Sequence, residues 1–94
     1  MTRLIIGSDT ISINDDGVSF TGQVARLIAG NEIIFLIKYT PPGNNTVLRK
    51  VKRNFNKGSN KFGWFNYPAN NQDEFSEAIG QEIEKQPHLL TFTT

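Results

Sequence analysis

Gln23-Val-Ala-Arg-Leu-Ile-Ala-Gly-Asn-Glu-Ile-Ile-Phe-Leu-Ile-Lys-Tyr-Thr40 is the stretch whose reading decides the fold. Gly30-Asn31 suits a two-residue turn with positive φ at its first position, so residues 23–29 and 32–40 read as neighbouring antiparallel strands. Ile33-Ile-Phe-Leu-Ile37 is the most apolar run of the chain and marks its central strand. Toward the N-terminus, Thr10-Ile-Ser-Ile-Asn14 alternates polar and apolar, which places Ile11 and Ile13 on one face of a strand. Val18 and Phe20 resume the alternation after Asp15-Asp16-Gly17, a second hairpin signal because glycine takes the positive φ of the turn or bulge. Glycine and asparagine at both turns predict an antiparallel meander.

Toward the C-terminus, Pro41-Pro42-Gly43-Asn44-Asn45 interrupts the sheet, since proline has no N–H for a ladder. Residues 46–55 allow two readings. A strand puts Val47, Arg49, Val51 and Arg53 on one face, a poor alternation; a helix aligns Val47, Val51 and Phe55. The valines and the following Asn56-Lys-Gly-Ser-Asn60 loop favour a strand, forming a long hairpin with residues 61–67. Beyond it a helix is predicted, with Asn71 as N-cap and Glu74 in the capping-box position. Asp73, Glu74 and Glu77 suit the positive end of its dipole, Phe75, Ala78, Ile79 and Ile83 form its apolar stripe, and Pro87 stops it. Residues 88–94 either add a last short strand or trail from the end.

The expected architecture is therefore α+β, mainly β: an antiparallel meander or small barrel of about six strands, capped by one C-terminal helix. Residues 1–94 form a single domain, being too few for two cores. This order of elements is similar to the layout of small pleckstrin-homology-like barrels. The likeness is one of layout, and no residue motif carries a family's sites across.

Composition excludes several chemistries. With no cysteine, the chain has no disulfide, thiolate nucleophile or thiolate metal site. One histidine leaves little for a zinc centre or proton relay. No phosphate-loop or dinucleotide fingerprint occurs; Gly58-Ser-Asn-Lys61 has the residue types without the spacing. Asp15-Asp16 falls far short of a calcium loop and reads as turn chemistry, and His88 reads as an exposed terminal residue. The expectation is a protein that is not an enzyme, with no cofactor and no metal. Met1-Thr-Arg-Leu-Ile-Ile-Gly7 is too short for a signal-peptide core, and no apolar run approaches transmembrane length, so a cytoplasmic location is expected.

The formal net charge of +1 conceals a segregation of sign. Residues 1–32 hold two basic and four acidic residues, and residues 73–94 hold one basic and five acidic. Between them lie seven basic residues, Lys38, Arg49, Lys50, Lys52, Arg53, Lys57 and Lys61, and no acidic one. Phe62, Trp64, Phe65 and Tyr67 follow directly. Cations suit phosphates and aromatic faces suit bases, so Arg49, Lys50, Lys52, Arg53, Lys57, Lys61, Phe62 and Trp64 are the candidate site. The expected function is a small non-catalytic module whose basic aromatic hairpin engages a polyanion, above all nucleic acid; an anionic membrane surface is a variant of the same chemistry. The competing structural account places every aromatic in the core and leaves the cations solvated or matched to the acidic helix. A protein-interaction adaptor working through sheet edges or the hairpin is the alternative function.

Overall fold

The computed structural model describes residues 2–15 and 17–91. Five strands, β1 (Thr2–Asp15), β2 (Val18–Ala29), β3 (Glu32–Tyr39), β4 (Val47–Asn56) and β5 (Lys61–Asn66), precede helix α1 (Glu74–Glu84) and a short 3-10 turn (Pro87–Leu90). Every pairing is antiparallel and the strands lie in chain order, so the expected meander is present as one open sheet with β1 and β5 at its edges. The α+β, mainly β class with one C-terminal helix is observed.

Strand number differs from the expected six because the runs 18–20 and 23–29 are one continuous strand, β2, while β1 reaches back past Thr10 to Thr2 through a bulge. Ile6 pairs with Ala25 and Thr10 with Gln23, which leaves Gly7, Ser8 and Asp9 opposite Val24 alone. The bulge shifts the register by two residues and so keeps side-chain alternation in phase: Ile5, Ile11 and Ile13 share a face. The Gly30 turn is as expected, with φ of +62° and Ala29 paired to Glu32. Residues 47–56 take the strand reading. No added strand forms at residues 87–90, which make the 3-10 turn; residues 92–94 of that expectation lie outside the described ones.

One face of the sheet carries the core. Ile11, Ile13, Val24, Phe35, Ile37, Tyr39, Val51 and Trp64 lie beneath Ile79 and Ile83 of α1 and Leu89 of the 3-10 turn. Helix α1 starts two residues later than expected: Asp73, not Asn71, is the N-cap, its carboxylate accepting the Ser76 N–H at 2.7 Å. Both are cap-forming residue types. Asp73 is the one whose other carboxylate oxygen reaches Asn66 at the end of β5, accepting from its side-chain amide at 2.6 Å.

The chain end is tied back to the opposite side of the sheet. Buried Arg26 on β2 donates to the carbonyls of Leu89 at 3.3 Å and Thr91 at 2.9 Å. Gln86 donates to the Thr10 carbonyl, and His88 meets Asp9 of the bulge, each at 2.8 Å. His88 is thus exposed, as expected, and also anchored.

Candidate polyanion-binding hairpin

Strand parity divides the basic segment. On β4, Val47, Arg49, Val51, Arg53 and Phe55 point to the helix-covered face, while Leu48, Lys50 and Lys52 point away from it. The poor alternation has a physical explanation. Only Val51 lies fully under α1; the arginines stand at the rim, with their stems against apolar surface and their heads at its edge. Arg49 places its guanidinium 4.5 Å from the Phe75 ring centroid, with Nε 3.4 Å from the Tyr39 hydroxyl. Arg53 lies 4.8 Å from the Phe62 ring centroid and 3.5 Å from the Glu84 carboxylate.

The tip of the β4–β5 hairpin is shaped by Asn56, whose side-chain oxygen accepts the Gly58 N–H at 2.8 Å and the Ser59 N–H at 3.3 Å. Asn60 closes the turn with φ of +57°. The turn presents Lys57 and Lys61 to solvent. Behind them Phe55 and Phe62 are directly paired across the strands, edge to face at 5.3 Å between centroids, and both are exposed, Phe62 at 60%. The hairpin is braced from α1: Asn56 donates to Gln72, Gln72 to Glu77, and the Trp64 N–H to Glu77, each at 3.1 Å.

Trp64 stands apart from the other candidates. At 1% exposure its ring is a core group, edge-on to Phe35 at 5.3 Å, with its indole N–H donated to Glu84 at 2.9 Å. No base can stack on it in this fold. Strand pairing puts Arg53 and Phe62 on the same face near the hairpin end, with Lys57 in the turn; Lys61, opposite Asn56, starts β5 on the other face. Lys50 and Lys52 lie on the other face of the sheet, where Lys52 is held by Glu32 at 2.8 Å, and Arg49 lies toward the start of α1. Among the described residues, Lys38, Lys50, Lys57 and Lys61 make no ion pair with a carboxylate. The acidic helix therefore does not neutralise the basic segment, since it engages one of its seven cations, Arg53.

Sequence reasoning missed two parts of the site. Phe55 was legible as the partner of Phe62 once the hairpin register was set by the tip. The second is a cavity of about 430 Å³ beside the hairpin, with Ile33, Phe35, Phe62 and Leu90 as apolar lining and Asn31, Arg53, Asn54 and the Lys52–Glu32 pair as polar groups. Leu90 reaches it only through the tertiary docking of the chain end, which no local pattern announces.

No helix among the described residues is long and apolar enough to cross a membrane. Neither a family model, nor a curated protein, nor a solved structure matches this chain.

Proposed function

We propose that this chain is a non-catalytic binding module that holds single-stranded nucleic acid at the open end of the β4–β5 hairpin. The observation that carries the reading is the exposed Phe55–Phe62 pair with Arg53 against it, at the end of a hairpin that also carries the exposed Lys57 and Lys61 and is braced by α1. An aromatic pair left in water forgoes the burial that phenylalanine favours, whereas bases offer it a stacking partner. Lys57 and Lys61 supply the phosphate contacts, and their rigid mounting reduces the ordering cost of binding. The cavity beside Phe62 has apolar walls for a base, and the Asn31 amide, Asn54 and the Arg53 guanidinium on its polar edge, where the Glu32 carboxylate is held by Lys52. A single strand is favoured over a duplex because paired bases do not present their faces to a side chain.

Titration of single-stranded and duplex oligonucleotides at two salt concentrations tests the reading. The single strand binds more tightly, and Phe62→Ala weakens it about 5- to 150-fold, the equivalent of about 1–3 kcal/mol per stacked base. Lys57→Glu with Lys61→Glu flattens the salt dependence by about 1.4 in slope, at about 0.7 per phosphate contact. Absence of binding at low salt, or binding indifferent to both variants, overturns the proposal.

A further inference from the structure

The face of the sheet turned away from α1 is apolar at its centre and uncovered. Leu4 and Ile6 of β1, Ala25 and Leu27 of β2, Ile34 and Leu36 of β3 and Leu48 of β4 share it by register. Ile6 is 76% exposed, and Leu4 and Leu48 are more than half exposed, while Ala25, Leu27 and Leu36 are half-buried and Ile34 is buried among its neighbours. Between them runs a groove of about 240 Å³ lined by Leu4, Ile6, Ala25, Leu36 and Leu48, with Lys38 on its border. A sheet face of this kind is ordinarily covered by a second layer.

The charges around the groove select what covers it. Lys52, Lys50 and Lys38 stand opposite Ile34, Leu36 and Leu48 along the β3–β4 ladder, so lysines border the apolar centre along β4 and at the end of β3. Glu32 is the only carboxylate that the strand registers place on this face among the described residues, and it is already held by Lys52. A second copy would bring further unanswered lysines and no free carboxylate. The groove is concave and spans four strands, about 14 Å, against a helix diameter of about 10 Å. The covered face supplies the precedent: α1 lays an apolar stripe on the sheet while its carboxylates Glu77 and Glu84 reach the Trp64 N–H groups and Arg53 at the margin.

We propose that this outer face docks an amphipathic helix of a partner protein, its apolar stripe in the Leu4–Ile6–Leu36–Leu48 groove and an acidic flank along Lys38 and Lys50. The surface lies apart from the hairpin end and does not depend on nucleic-acid binding there.

Two labelled helical peptides of about 18 residues (five turns), sharing one leucine stripe and flanked by glutamate or by lysine, are the probes in an anisotropy titration. The glutamate-flanked peptide binds at least about tenfold more tightly than its lysine counterpart. Ile6→Glu abolishes that binding while leaving the far-ultraviolet spectrum and oligonucleotide titration unchanged. Lys38→Glu with Lys50→Glu moves the preference toward the lysine-flanked peptide. Absence of binding, equal binding of both peptides, or binding that survives both variants overturns the proposal. So does an Ile6-dependent dimer by light scattering, or Ile6-dependent flotation on phosphatidylserine vesicles, with no peptide preference, since either gives the face to another occupant.

Discussion

Gly80 of α1 sits directly on the indole ring of Trp64: a Cβ added at position 80 would fall among the ring atoms, with no intervening space. The contact seats the helix on β5 and lets Trp64 be fully buried while Glu84 caps its indole N–H. In an isolated helix, Gly80→Ala would stabilise by about 1 kcal/mol. Here overpacking reverses the sign, and a net loss of about 1–3 kcal/mol is expected. Urea unfolding of the two proteins checks it; a raised midpoint would mean the helix does not rest on the ring.

Ser76 is the converse case. Its hydroxyl is fully buried and has no hydrogen-bond partner among the described residues, although its backbone N–H is held by Asp73. Burying an unpaired hydroxyl is costly, so Ser76→Ala raises stability by about 1 kcal/mol with the cap intact. Thermal unfolding measures it, and a destabilised alanine variant contradicts the packing described.

Arg26 fastens the chain end to β2 by two carbonyl hydrogen bonds. Arg26→Met retains most of the side-chain bulk and removes both donors, each worth about 1.5–3 kcal/mol when the donor is charged. The 3-10 turn then detaches more readily than the sheet unfolds. Trypsin cleavage after Lys85, followed by mass spectrometry, is expected to accelerate several-fold, while cleavage within β3 and β4 is unchanged. Equal acceleration at all sites would show that Arg26 supports the whole fold and not its end alone.

Trp64 is the only tryptophan, and so its fluorescence reports one place. Buried among apolar groups, it emits toward the blue and resists acrylamide quenching. Saturating oligonucleotide leaves both properties unchanged, because the stacking residues Phe55 and Phe62 lie outside the core that holds Trp64. Static quenching of Trp64 by bound bases would place the site elsewhere or require the helix to lift.

Much of the sheet was legible from local chemistry. Gly17 and Gly30 announce their turns because a positive φ is a property of the residue itself, and both adopt it. The apolar run 33–37 lies in the third of five strands, the middle of the sheet. The bulge at 7–9 was not legible, since a break in alternation looks the same whether a strand ends or merely bulges. The helix cap was misplaced by two residues for a similar reason. Asn71 and Asp73 have the same local merit; both meet Asn66, Asn71 through its backbone carbonyl and Asp73 through the carboxylate that also caps the helix.

Alternation along β4 is written into the order of its residues: once the segment is a strand, Arg49 and Arg53 must oppose Lys50 and Lys52. The segregation of charge along the chain is likewise a property of the sequence alone. Tertiary structure decided what those patterns mean. It laid α1 over one face, withdrawing Trp64 into the core, and left Phe55 and Phe62 at the hairpin end. It also divided the cations between two surfaces and left the outer apolar face bare. The physical reason is that φ preferences and strand parity act between neighbours in sequence, whereas the choice of covered face depends on contacts between residues far apart in the chain. Arg26 with Leu89, 63 residues away, is one such contact.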